Sequence, residues 1–117
     1  VLDARLRECD YGELTQCPRD LMEEESLRHI TEPFPQGESM SMVVQRVGTF
    51  LQDVYDAYNE KTIVVIGHRA TRYGLEYWSG DASLAEIVQA PWDWLAVPIW
   101  RYEIHAHHLR RRSRELE

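Results

Sequence analysis

Residues 62–66 (TIVVI) form a short β-branched run, and this run constrains the fold more than any other part of the sequence. The run is apolar after its first residue, and Gly67 ends it. β-Branched side chains favour extended backbone. A continuous apolar run of this length is typical of a strand buried on both faces, in a parallel or mixed sheet covered by helices. The sequence therefore predicts a central strand here.

A long amphipathic helix is predicted before this strand. Ser39 is a natural N-cap for it, and Asn59 is a suitable stop. The predicted apolar face recurs mostly at steps of three and four and consists of Met40, Val43, Val44, Val47, Phe50, Leu51, Val54 and Tyr58.

Shorter elements are predicted around this pair. Residues 4–7 favour an extended segment, and residues 18–27, 69–78 and 83–88 favour helices. Residues 100–105 alternate large apolar with polar side chains, which is typical of an outer strand. Helices and strands in this order indicate a layered α/β protein.

The residues after the central run form a candidate anion site. In an open α/β sheet, ligands lie outside the carboxyl ends of the strands. Here Gly67 is followed by His68 and Arg69, with Arg72 one turn later. A helix N-terminus at this point would add free N–H groups and a positive partial charge, which suit a phosphate. The alternative is that His68 is a structural residue satisfied by its neighbours.

Glu8 is the candidate proton donor. It lies on a loop that precedes Gly12. Burial raises the pKa of a carboxyl toward neutrality, so a partly buried Glu8 could act as a general acid. Asp10 and Glu13 lie close by in sequence, and the alternative is therefore an acidic surface loop.

Three blocks of the sequence stand in a characteristic order: residues 6–14 (LRECDYGEL), residues 35–39 (PQGES) and residues 62–68 (TIVVIGH). Their order and spacing resemble the C-terminal part of the histidine phosphatase (phosphoglycerate-mutase-like) family. The first block resembles the family's L-x-E-x-x-[FY]-G motif, and the second resembles its P-x-G-E-S segment. The third resembles the family's final buried strand and second histidine.

The resemblance implies a three-layer α/β sandwich of the phosphoglycerate-mutase type. It also implies a phosphomonoester hydrolase that acts through a phosphohistidine intermediate on a small phosphorylated substrate, and we expect no cofactor. Glu8 would be the proton donor and His68 the second histidine, which holds the phosphoryl oxygens. Arg69 and Arg72 are further candidates for phosphate contacts. The family often has glycine where Arg69 stands, and Arg72 is one position nearer to His68 than the family's arginine.

The motif that carries the family's phosphate-accepting histidine, Arg-His-Gly, does not occur in the sequence. The one Arg-His pair, Arg28-His29, is followed by Ile30, and the chain opens with Val1. We therefore expect a truncated chain with an incomplete sandwich, lacking the N-terminal strand and its helices, and inactive alone. The alternatives are a non-catalytic remnant that binds phosphate or a protein, and a phosphoglycerate-type mutase. The short segment over residues 12–31 disfavours the mutase.

Charge and composition narrow the partners. A net charge of −7 disfavours a general nucleic-acid binder, and no apolar run is long enough for a membrane span. Cys9 and Cys17 are interpreted as reduced thiols, which together with the absence of a visible secretory signal predicts a cytoplasmic protein. The sequence leaves the oligomeric state open.

The end of the chain is predicted to lie apart from the domain. We assign residues 1–105 to the C-terminal part of one histidine phosphatase domain and residues 106–117 to a basic tail. No metal is expected, because no acidic or cysteine ligand is placed to complete a site with the terminal histidines. These histidines are His105, His107 and His108. The indoles of Trp92, Trp94 and Trp100 are expected to close a core against the last strand.

Overall fold

The computed structural model describes residues 1–91 and 99–116, and within these residues the protein is helical. Two 3₁₀ turns, Ala4–Leu6 and Gly12–Leu14, come first. Five α-helices follow: α1 (Arg19–Arg28), α2 (Met40–Tyr58), α3 (Arg69–Ser79), α4 (Leu84–Gln89) and α5 (Ala106–Leu116). Trp92 and Trp94 lie outside the described residues. No helix in the described part of the chain is long and apolar enough to cross a membrane.

Helix α2 is the centre of the core and confirms the predicted amphipathic helix. Ser39 Oγ accepts a hydrogen bond from the Met42 N–H at 3.2 Å and so caps the first turn. Asn59 follows the last residue of the helix, as expected. The buried residues of α2 are Met40, Val43, Val44, Val47, Gly48, Phe50 and Leu51. Burial of this apolar stripe is the main source of stability for a helix of this kind.

Helix α3 packs closely against α2 because two glycines remove side chains from the contact. A Cβ atom on Gly48 would lie 2.3 Å from Cζ2 of Trp78, and one on Gly74 would lie 2.7 Å from Cβ of Val47. The Trp78 indole N–H donates to the Val44 carbonyl oxygen at 2.7 Å. The two helices therefore interlock through an indole that is both packed and hydrogen-bonded.

The predicted α/β sandwich is wrong for the part of the chain that the structure describes. Residues 1–91 and 99–116 contain no strand and no sheet. The run at residues 62–66 is not helical either, and its side chains are largely exposed: Ile63 by 43%, Val64 by 83% and Ile66 by 92%. A β-branched run becomes a strand only when a neighbouring segment pairs with its N–H and C=O groups. No described segment does so, and of the run only Val65 packs against the core.

Two other strand-like predictions also differ from the structure. Residues 4–7 were expected to be extended, but Asp3 caps a 3₁₀ turn there by accepting the Arg5 N–H at 2.9 Å. Residues 100–105 were expected to form an outer strand, but they lack regular structure and lead into α5. The predicted helices over residues 18–27, 69–78 and 83–88 are confirmed to within a residue or two as α1, α3 and α4.

The basic run near the end of the chain lies in α5 and is not wholly solvated. Arg112 is only 5% exposed. Its Nε donates to the Tyr77 carbonyl oxygen at 3.1 Å, the Tyr77 hydroxyl donates back to the Arg112 carbonyl oxygen at 3.1 Å, and its guanidinium lies 3.7 Å from the Tyr77 ring centroid. This reciprocal contact fixes α5 against α3. The division at residue 105 stays a prediction.

Candidate functional site

The first two sequence blocks form one structural unit. The Glu13 N–H donates to the Pro35 carbonyl oxygen at 2.9 Å, and the Glu38 N–H donates to the Asp10 carbonyl oxygen at 2.8 Å. Gly12 has φ of 55°, and a Cβ atom there would lie 2.0 Å from the Pro35 carbonyl oxygen. A residue with a side chain is strained at this φ and has no room in this position. The glycine of the first block is thus required for its contact with the second.

Glu38 connects this unit to α2 through Arg46. Its carboxylate accepts two hydrogen bonds from Arg46, Nε to Oε2 and Nη2 to Oε1, each at 3.0 Å. Oε1 also accepts the Asp10 N–H at 3.0 Å. Burial opposes ionisation of Glu38, but the hydrogen bonds from Arg46 and from the Asp10 amide outweigh it, so the pKa of Glu38 is lowered.

Arg46 also holds the chain that leads to Glu8. Its Nη1 donates to the Arg5 carbonyl oxygen at 2.8 Å and to the Arg7 carbonyl oxygen at 2.9 Å, and its Nη2 donates to the Glu8 carbonyl oxygen at 3.0 Å. From the sequence, Arg46 belongs to the polar face of the long helix. No local signal marks it, because all of its partners come from residues that precede α2.

The Glu8 carboxylate lies on the first turn of α3. Its Oε1 accepts the Cys9 N–H at 2.8 Å and the Ala70 N–H at 3.2 Å. The first N–H groups of a helix have no intrahelical acceptor, and the Glu8 carboxyl group supplies one for Ala70. Burial, with a smaller effect of the nearby Glu8 charge, raises the pKa of the Tyr11 phenol.

His68 is the N-cap residue of α3, two residues before Ala70. Its N–H donates to Thr71 Oγ1 at 3.1 Å, and the same hydroxyl donates to the Leu6 carbonyl oxygen at 2.7 Å. Thr71 therefore connects the backbone of His68 to the segment that carries Glu8. The structure brings Glu8 and His68 to one helix N-terminus, with the His68 side chain exposed. Their catalytic roles stay predictions.

Each of the two candidate arginines forms an ion pair with a glutamate. Arg69 forms an ion pair with Glu23 of α1 at 3.9 Å. Arg72 forms a closer pair with Glu76 at 2.5 Å, donates to the Tyr102 hydroxyl at 3.2 Å, and stacks over the Trp100 ring at 4.4 Å. Arg72 is thus bound between α3 and the segment before α5. Phosphate contacts from either arginine stay a prediction.

The Cys9 side chain, which follows Glu8, is buried and unreactive. Cys9 is 5% exposed and belongs to the core. Burial, with a smaller contribution from the charges of Glu38 and Glu8, raises the pKa of its thiol to about 12. A thiol with this pKa is neutral at physiological pH and is a poor nucleophile or metal ligand.

The terminal histidines do not gather carboxylates or thiols around a common point. His105 and His107 stack with ring centroids 5.7 Å apart, and His108 Nε2 lies 2.9 Å from the Gly80 carbonyl oxygen. Among residues 1–91 and 99–116, no group of three or more His, Cys, Asp or Glu side chains could hold a metal ion.

Comparison with known protein families identifies the family of the chain. A family model described as the histidine phosphatase superfamily (branch 1) matches residues 1–113, which is almost the whole chain. The matched span contains all three sequence blocks, and with them Glu8 and His68. No curated protein and no solved structure matches the chain.

Proposed function

This chain belongs to branch 1 of the histidine phosphatase superfamily, and from that premise we propose that it supplies two site residues to a phosphomonoester hydrolase. Membership indicates a phosphatase or mutase in general. The proposal is narrower: hydrolysis of a small phosphate monoester through a phosphohistidine intermediate, with Glu8 as the proton donor and His68 as a phosphate-binding histidine. The observation that carries it is the meeting of Glu8 and His68 at the N-terminus of α3.

The position of Glu8 suits proton donation. When a histidine nitrogen forms a bond to phosphorus, the bond from phosphorus to the ester oxygen breaks, and that oxygen takes up a proton as it leaves. Two N–H groups hold Glu8 Oε1, so the orientation of the carboxyl is set before substrate binds. An acid that is already oriented loses less freedom in the transition state.

The position of His68 suits phosphate. An exposed imidazole at the N-cap lies beside the first N–H groups of α3, where a phosphoryl group is favoured by the helix dipole. Arg69, the next residue, could add positive charge to the phosphate site. Groups that bind the phosphoryl oxygens stabilise the charge that is spread over them during transfer.

The 117-residue chain alone is proposed to be inactive. Its sequence has no Arg-His-Gly motif to provide the accepting histidine. The same observation supports the second candidate function, a non-catalytic module that binds phosphate or a protein at the start of α3. Two free cysteines fit the reducing cytoplasm, where we place the reaction.

Phosphoenzyme trapping separates these functions. The full-length protein, as its gene encodes it, is incubated with a panel of phosphate monoesters and quenched in alkali, in which phosphohistidine survives. The hydrolase proposal expects hydrolysis and an acid-labile phosphoprotein from the full-length protein, and neither from the 117-residue chain. Phosphate binding without either signal in the full-length protein would favour the binding module. Robust turnover by the short chain that His68→Ala abolishes would contradict the proposed inactivity.

A further inference from the structure

The Arg46 side chain of α2 binds the backbone that carries Glu8, in addition to the Thr71 hydroxyl of α3, which donates to the Leu6 carbonyl oxygen. Arg46 donates to the carbonyl oxygens of Arg5, Arg7 and Glu8 over distances of 2.8–3.0 Å. These three acceptors belong to a segment with no regular structure after its 3₁₀ turn. These hydrogen bonds from the guanidinium therefore help to fix the backbone that leads to Glu8, which belongs to no sheet.

Arg46 is itself immobilised. The Glu38 carboxylate binds it through two parallel hydrogen bonds of 3.0 Å, and the side chains of Arg46 and Glu38 are each 12% exposed. A bidentate arginine–carboxylate pair fixes both position and orientation. Arg46 also lies on the longest helix of the described chain, so its backbone is held by the hydrogen bonds of α2.

The two amides that bind Glu8 Oε1 differ in what keeps them there. Cys9 is the next residue, and its 2.8 Å hydrogen bond depends only on local geometry. Ala70 lies 62 positions away on α3, and its 3.2 Å hydrogen bond depends on where residues 5–8 are held against the two helices. The Cys9 amide therefore reports the local geometry of Glu8, and the Ala70 amide reports the position of residues 5–8 relative to α3.

We propose that Arg46 is a positioning residue of this site: together with the Thr71 hydroxyl on the Leu6 carbonyl oxygen, it holds residues 5–8 so that the Glu8 carboxylate reaches the N-terminus of α3 beside His68. Glu38 completes the device by orienting Arg46. The second block of the sequence, PQGES, then acts on the site through Glu38 and Arg46, without contacting substrate. The functional meaning of this placement rests on the proposed function, but the placement itself can be measured without activity.

The experiment is a mutant cycle read by amide proton shifts in the ¹⁵N-labelled full-length protein, with all variants measured at the same neutral pH. In the wild-type background, Glu8→Gln should shift the amide protons of both Cys9 and Ala70, because a side-chain amide replaces the carboxyl group that accepts from both. In the Arg46→Met background, Glu8→Gln should still shift Cys9, but the shift of Ala70 should be lost. Arg46→Lys keeps the charge without the planar fork and should reduce the Ala70 shift.

Arg5→Met is the matched control. Arg5 lies in the same segment, but its guanidinium bonds to Asp3 and Asp53, and only its carbonyl oxygen meets Arg46. The Ala70 response to Glu8→Gln should survive in this variant. A full Ala70 response in folded Arg46→Met or Arg46→Lys protein would overturn the proposal. Failure of both Arg46 variants to fold would also overturn it, since Arg46 would then serve the fold as a whole. Neither result depends on whether the protein hydrolyses phosphate esters.

Discussion

Glu8 Oε1 accepts a hydrogen bond from the Ala70 N–H at 3.2 Å, which joins a carboxylate near the start of the chain to the first turn of α3. This bond places the proposed proton donor within two residues of the N-cap histidine. The proposed role of Glu8 as proton donor can therefore be tested with substrates that differ only in their leaving group.

Glu8→Gln should slow hydrolysis most for substrates with poor leaving groups. For an alkyl phosphate, loss of the general acid should lower kcat/KM of the full-length protein by about 10²- to 10⁴-fold. For p-nitrophenyl phosphate, whose leaving group needs no proton, the decrease should be much smaller. Steady-state kinetics on both substrates measure the difference. Glu13→Gln, at an exposed position five residues later in the sequence, is the control. Equal losses on both substrates would show that Glu8 is not the acid.

Gly48→Ala should destabilise the protein. The added Cβ would lie 2.3 Å from the Trp78 ring, and the indole cannot move aside without breaking its hydrogen bond to Val44. Overpacking of this kind costs about 1–3 kcal/mol of unfolding free energy. Urea unfolding measures it. Gly80→Ala, whose Cβ would meet the Glu76 carbonyl oxygen only at 3.3 Å, should cost less. A larger loss at Gly80 than at Gly48 would contradict the close packing of α2 and α3.

Glu38 should contribute to stability at neutral pH and lose that contribution in acid. Its pKa is lowered from 4.5, against the effect of burial, by the hydrogen bonds of Arg46 and Asp10. Because the folded state binds this proton less readily than the unfolded state, the contribution is present above about pH 4.5 and disappears as pH falls through the lowered pKa. Urea unfolding across this range should show wild type and Glu38→Gln converging toward low pH. Parallel curves would mean that Glu38 is not coupled to folding.

The two cysteines should differ in reactivity. Cys9 is buried with a thiol pKa of about 12, whereas Cys17 is partly exposed. Iodoacetamide at mildly alkaline pH should therefore modify Cys17 in the folded protein and leave Cys9 intact, because the thiolate is the reactive form. Peptide mass spectrometry locates the label. In urea both should react, which controls for intrinsic reactivity. Rapid labelling of Cys9 without urea would place it outside the core.

The parts of the fold that the sequence predicts correctly are those determined locally. The α2 stripe and the Ser39 cap each depend on residues within a few positions; the structure has the cap and buries the stripe from Met40 to Leu51, whereas Tyr58 at its predicted end is 57% exposed. The strand predicted at residues 62–66 depends on partners elsewhere in the chain, which a β-branched run cannot provide for itself. Its extended tendency was visible, but its pairing was not.

The site shows the same division between local and distant determinants. Glu8 and His68 were singled out from short blocks, but their meeting at α3 depends on Arg46 and Thr71, whose partners lie far away in sequence. Nothing near Arg46 distinguishes it from the other polar residues of the helix. Contacts of this kind follow from the packing of α2 and α3 and cannot be derived from either segment alone.

The contact between Gly12 and Pro35 has a consequence for how the protein tolerates change. Because the Glu13 N–H bonds to the Pro35 carbonyl oxygen, the two ends of residues 13–35 meet at one point. The turn before α1, around Thr15 and Gln16, is exposed. Extra residues inserted there would enlarge a loop that is already closed, at about 0.6 kcal/mol for each doubling of its length. Related proteins could therefore vary widely in length at this turn while Glu8 and α2 keep their places.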